Sequence, residues 1–185
     1  MLEDRLLMWK YNHGDVEVLH RIYVKYKDEL MTLAAALLYD RGPAEDVVHD
    51  VFVRFIGACG KQRLTKSIKG YLVTCVVNDV RNKNKAAQRH QSRSLEQVAP
   101  IASDSNRLDM SAIFGERSQR LAWALSQLSC RQREVLLLHL YSGLKFRAIA
   151  ELEGESINTI QGRYRYGLNE LRSLLNSEVK NEADR

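Results

Sequence analysis

Asn158, Thr159, Gln161, Gly162, Arg163 and Arg165 fall on one side of a helical repeat whose other side carries Ile157, Ile160, Tyr164, Leu168 and Leu171. Arginine offers paired donors to a guanine edge, and asparagine or glutamine can pair with adenine. Thr159, close to the start of that helix, can hold a phosphate. Just upstream, Gly154 tolerates the positive φ of a tight turn. Ala150 lets two helices approach, and Ser156 can cap the second of them. Two short helices crossing at such a turn, the second entering the major groove, make a helix-turn-helix. The same residues also suit the solvated face of a four-helix bundle. Glu153 and Glu155 flank the turn glycine where apolar residues are usual, and they bring negative charge to it.

A second candidate surface lies far upstream. Lys61, Arg63, Lys66, Lys69, Arg81, Lys83, Lys85, Arg89 and Arg93 form a basic run in which Asp79 is the only acid. Tyr71 can stack on an unpaired base beside those cations, or it can be a core tyrosine. Asn78 suits a base edge and suits a loop cap equally well. Before this run the character reverses. Asp40, Glu45, Asp46 and Asp50 are followed by Phe52, Val53 and Arg54. An acidic, partly apolar face fits a basic protein partner, while acids opening a buried helix also stabilise its dipole.

Composition narrows the partners. The 185 residues carry a net charge of +5 and are 45% apolar, ordinary for a globular chain with a polyanionic partner. No apolar run approaches the ~20 residues needed to cross a bilayer, and the charged start MLEDRLLMWKYNHGD lacks a signal-peptide core. No membrane insertion is expected, and the cytoplasm is the expected setting. Cys59, Cys75 and Cys130 are widely spaced and form no CxxC pair, so they are expected to be small buried hydrophobes. His13, His20, His49, His90 and His139 show no metal-ligand spacing. With no phosphate loop or nucleophile motif either, neither a metal, a cofactor nor an enzymatic activity is expected.

The elements that must position these residues are helical throughout. Spacings of three and four predict helices over 2–11, 16–39 and from Pro43 through Phe55, then over 70–87, with a loop between Gly57 and Lys69. Leu19, Ile22, Tyr26, Leu30, Leu33 and Leu37 make the inward stripe of the second. Val47, Val48, Val51, Phe52 and Phe55 make that of the third. Four more helices are predicted over 117–128, 131–141, 146–153 and 157–175. The fold class is all-α: a domain over 1–92, a flexible linker over 93–115, a four-helix domain over 116–176 bearing the helix-turn-helix, and a frayed tail over 177–185.

Together these motifs resemble a bacterial extracytoplasmic-function sigma factor of the sigma-70 family, from about Gly14 to Leu175. Gly14-Asp15 followed by Leu19, Tyr23, Tyr26 and Leu30 resembles the family's opening helix. Ala44-Glu45-Asp46-Val47-Val48-His49-Asp50-Val51-Phe52 resembles its core-polymerase-binding helix, and Gly70-Tyr71-Leu72 with Asn78 its later pattern. Leu128, Arg131, Gln132, Arg133, Glu134 and Val135, then Ile149-Ala150-Glu151, Gly154, Thr159-Ile160 and Arg163, resemble its second domain. The chain departs from the pattern at His49, Tyr71, Asn82, Ser129, Glu153, Glu155 and Gly162.

The resemblance implies a transcription initiation factor. Asp46, His49, Asp50, Phe52, Val53 and Arg54 would meet core RNA polymerase at the clamp of its β′ subunit. Lys69, Tyr71, Asn78, Arg81, Lys83 and Lys85 would hold the melted −10 element, at a cost of a few kcal/mol for flipping a base. Asn158, Thr159, Gln161, Gly162, Arg163 and Arg165 would read the −35 duplex, with the β-subunit flap close by. An anti-sigma factor is the further partner the resemblance implies. The alternative reading is a helix-turn-helix regulator that recruits polymerase without replacing sigma.

Overall fold

The computed structural model describes residues 2–38, 41–65, 67–94 and 115–183. They form α1 (Leu2–Asn12), α2 (Glu17–Leu38), α3 (Arg41–Gly57), α4 (Ile68–Ser94), α5 (Gly115–Gln127), α6 (Cys130–Leu136), α7 (Phe146–Glu153) and α8 (Ile157–Ala183). No strand occurs among the described residues. The chain divides into two compact units, Met1–Asn106 and Arg107–Arg185.

Most element ends fall within two residues of expectation, and the larger differences have local causes. α4 continues to Ser94 and α8 to Ala183, because neither segment contains a glycine or proline to stop it after Gly70 and Gly167 respectively. The linker expected over 93–115 therefore begins inside a helix, and 95–114 lie outside the described residues. The tail expected to fray is helical as far as Ala183.

In the first unit α2 packs against both α3 and α4. All six residues expected on the α2 stripe are buried. Buried in the same unit are Val47, Val48, Val51, Phe52 and Phe55 of α3 and Leu72, Val73, Val76, Val77 and Val80 of α4. Each such side chain contributes ~1.5–3 kcal/mol when fully buried, so this apolar triangle outweighs any single surface ion pair.

Helix α1 closes the unit from one end. Tyr11 is fully buried, stacks on Phe55 with ring centroids 4.3 Å apart, and donates its hydroxyl to the Phe55 carbonyl at 2.7 Å. Burial pushes its phenol up to about 12. The Asn12 side chain accepts from the Leu64 N–H at 2.8 Å and donates to the Leu64 carbonyl at 3.1 Å. The Gly60 N–H bonds the Tyr11 carbonyl at 3.1 Å. A Cβ added at Gly60 would lie 2.9 Å from the Gly14 Cα, so the two glycines permit this approach. The loop between α3 and α4 is thus tied at Gly60 and Leu64 to the end of α1.

In the second unit Ala124, Leu128, Leu136 and Leu171 form a buried cluster, with Trp123, Tyr164 and Leu168 packed against it. Ser129 caps α6 in a reciprocal capping box with Gln132. Arg133 is buried and donates to the carbonyls of Leu125 at 2.8 Å and Leu128 at 2.9 Å. A cation there suits the carbonyls at the end of α5, which lack helical partners. Burial brings its guanidinium down to about 10, still charged at neutral pH.

The helix expected over 131–141 keeps α geometry only to Leu136, and Leu137–Tyr141 form a π turn. That wider turn places His139 against Phe146, with centroids 4.1 Å apart, and edge-on to Tyr164 at 5.0 Å. Gly167 is a close-packing position on α8. A Cβ there would sit 3.0 Å from the Gln132 Cβ and 3.3 Å from the Leu136 Cδ1.

The cysteines depart from expectation. Cys59 and Cys75 are half-buried and Cys130 is exposed at the first turn of α6, where the helix start faces away from the core.

Candidate nucleic-acid interface

The turn between α7 and α8 is built as its sequence dictates. Gly154 ends α7 at φ 67°, with its N–H on the Ala150 carbonyl, and the Glu155 N–H reaches the same oxygen at 3.1 Å. Ser156 Oγ accepts from the Thr159 N–H at 3.0 Å, capping α8. Ile160 and Leu171 are buried, but Ile157, expected to face inward, is 43% exposed. It opens the first turn of α8, ahead of the point where that helix meets α6.

The two glutamates that break the expected apolar pattern are the fasteners of this turn. Glu153 Oε2 lies 3.0 Å from Arg163 Nη1 and 3.3 Å from Arg131 Nη1, and its side chain is 0% exposed. Glu155 Oε1 takes the other Arg163 nitrogen at 2.6 Å. One buried carboxylate therefore joins α6, α7 and α8. The cost of burying it is met by two guanidinium partners. Arg163 is drawn back across the turn and is 24% exposed. Arg163, one of the two arginines expected to face DNA, is held across the turn by these pairs, and Glu153 fills a position where an apolar residue is usual.

What remains outward on α8 is a narrower set. Asn158, Gln161 and Arg165 are exposed. Thr159 is half-buried, its hydroxyl 2.9 Å from that of Ser156. Tyr166, which the sequence did not single out, is 65% exposed, and the Arg165 guanidinium lies 5.6 Å from its ring centroid. Its position one helical turn past Gly162 and two past Asn158 is the signal that could have found it.

The candidate residues on α4 separate into faces. Tyr71, Asn78 and Lys85 recur every seven residues and share one side of the helix. Asn78 and Lys85 are exposed, whereas Tyr71 is half-buried, with its ring 6.0 Å from Phe55 and its phenol raised chiefly by burial. Lys69 pairs with Glu29 of α2 at 2.6 Å. Lys83 turns to α3, 3.5 Å from Asp46 and 3.4 Å from the Pro43 carbonyl. Arg81 is half-buried. The six do not make one patch.

On α3, Asp46, His49, Asp50 and Val53 are exposed. Phe52 is not: it is 3% exposed and meets Tyr23 edge-on with centroids 4.8 Å apart. It belongs to the core, because the helix repeat that exposes His49 and Val53 turns it toward α2. Arg54 is exposed and pairs with Asp79 of α4, a hydrogen bond that raises its guanidinium. Ile56, 46% exposed, shares the face of His49 and Val53 and was not singled out in the sequence; its position three residues past Val53 is the signal that could have found it. Among the described residues no cluster of three or more His, Cys, Asp or Glu could hold a metal ion. No helix among them is long and apolar enough to cross a membrane.

Two family models match this chain. One, described as Sigma-70 region 2, covers residues 22–90, and the other, described as Sigma-70, region 4, covers 118–171. An ECF RNA polymerase sigma factor SigK from Mycolicibacterium vanbaalenii is 26% identical over 166 residues, spanning 87% of this chain and 83% of that protein. A SigK from Mycobacterium ulcerans is 28% identical over 150 residues, spanning 78% and 79%. Two solved structures share the fold at a TM-score of 0.67. The sigma factor RpoE bound to the anti-sigma factor NepR, from Bartonella quintana, is 24% identical and matched over 85% of this chain and 96% of its own. CnrH bound to the cytosolic domain of CnrY is 21% identical, over 94% and 97%.

Proposed function

Because this chain belongs to the sigma-70 family, among its extracytoplasmic-function sigma factors, we propose that its two units divide the work of a promoter-recognising initiation factor as follows. The unit of α1–α4, with the domain over 1–92 at its centre, docks on the β′ clamp of core RNA polymerase and holds the melted −10 strand. The unit of α5–α8, over 116–176, holds the −35 duplex beside the β flap. The observation that carries this reading is the outer face of α3, where exposed Val53 and Ile56 sit beside Asp46, His49 and Asp50. Apolar side chains ringed by acids are costly to leave in water and suit a basic protein partner.

Tyr71, Asn78 and Lys85 share the α4 face offered to the opened strand, and Lys83 joins them once Asp46 turns to polymerase. Lys69 and Arg81 border the same helix. On α8 the duplex meets Asn158, Thr159, Gln161, Gly162 and Arg165, with Arg163 holding the turn behind them. Polymerase performs the chemistry, so this chain is not itself an enzyme, and it acts where polymerase is, in the cytoplasm. The structural relative RpoE is bound to the anti-sigma factor NepR, and a partner of that class is part of this proposal.

The test is reconstitution. The purified chain added to core polymerase should start transcription at specific promoters. Failure to initiate at any promoter the complex binds would favour a regulator that does not replace sigma. Reversing Asp46 and Asp50 to lysine should reduce core binding while leaving −35 duplex binding intact. Unchanged core binding would remove the α3 assignment; equal loss of both would mean misfolding, in which case the milder Asp46→Asn and Asp50→Asn pair takes its place in the same test.

A further inference from the structure

Two glycines interrupt α8, and they are there for different reasons. Gly167 faces inward, where any Cβ would press on Gln132 and Leu136. At Gly162 an added Cβ would meet nothing within 4 Å. No contact inside the protein explains the glycine, yet glycine in a helix interior is less stable than alanine. Its surroundings point outward. Asn158 and Tyr166 stand exposed one turn before and one turn after it. Two neighbouring side chains are turned aside, Arg163 to Glu153 and Glu155 and Thr159 to Ser156, while Gln161 is exposed and the exposed Arg165 lies 5.6 Å from the Tyr166 ring. Bare backbone is left between a hydrogen-bonding amide and a broad aromatic ring.

We propose that Gly162 is a specificity-determining notch, shaped to receive the 5-methyl group of one thymine in the major groove. The group missing from the helix is a methyl, and the thymine methyl is the apolar projection that the major-groove edge presents. The notch admits that edge to contact with the α8 backbone, with the Tyr166 ring on one side and the Asn158 amide on the other. This inference rests on the reading of α8 as the −35 helix.

The test uses holoenzyme formed from the full chain and core polymerase, and a duplex probe enriched by that holoenzyme from a randomised pool. Thymines of the probe are replaced singly by deoxyuridine, which lacks the methyl. For the natural chain, one such replacement should weaken binding by about three- to tenfold. Gly162→Ala should weaken binding to the thymine probe by at least about tenfold, the loss of one good base contact, and should erase the thymine–deoxyuridine difference at that position. The same substitution should raise the melting temperature of the free chain by a few degrees, about 4 °C, so lost binding could not be blamed on lost fold. Unchanged binding by Gly162→Ala, or a thymine preference that survives it, overturns the notch alone. Enrichment of no sequence overturns the −35 reading and the notch with it.

Discussion

On α4 the Lys83–Asp46 pair is loose, 3.5 Å long with the aspartate 73% exposed, whereas on α8 the Arg163–Glu153 pair is 3.0 Å long and its carboxylate is wholly buried. Both pairs occupy a cation that the sequence assigns to DNA. Their settings give them opposite consequences. An exposed pair in water is worth ~0–1 kcal/mol and exchanges readily for a phosphate. A buried carboxylate stripped of its partner is left uncompensated, so Arg163 cannot leave Glu153 cheaply. Lys83 on α4 can therefore be released at little cost, whereas Arg163 on α8 is committed to the architecture of the turn.

The strongest way to break that contrast is Glu153→Ala. It should lower stability by about 2–3 kcal/mol, toward the low end for a broken buried pair because Arg131 is largely exposed. Denaturant unfolding of the full chain measures it, and an unchanged midpoint would show that the pair is no fastener. Next, Arg163→Ala should cost about 2 kcal/mol of stability and weaken matched and scrambled −35 duplexes alike. Loss confined to the matched duplex would restore Arg163 as a base reader. Arg165→Ala should behave in the opposite manner. Stability should hold within ~0.5 kcal/mol while binding to the matched duplex falls by ~1–2 kcal/mol.

The smallest effect is expected from Lys83→Ala, below ~1 kcal/mol in stability. Its signature is instead a salt-dependence slope for promoter binding shallower by about one. An unchanged slope would mean that Lys83 stays with Asp46 when DNA binds, and the contrast between the two helices would vanish.

How much of this was legible in the sequence depended on range along the chain. Gly154, Ser156 and the α2 stripe could be read because turns, caps and helical faces are set by residues within about four positions. Glu153 and Glu155 looked misplaced because their partner lies ten and eight residues away, across a turn that reverses the chain. Phe52 was assigned both to the core and to a partner, since a motif names positions without saying which way each side chain points. Tyr71 carried two readings, and the structure shows it half-buried with its ring 6.0 Å from that of Phe55. Nothing local announced that Asn12 would bond Leu64, fifty-two residues on.

That last bond bears on how the protein can be divided. The stretch between α3 and α4 takes part of its form from Tyr11, Asn12 and Gly14. These residues lie ahead of the segment matched to region 2, which begins at residue 22. A chimera spliced at the edge of that match would carry the loop and leave its template behind. The transferable cassette begins at α1.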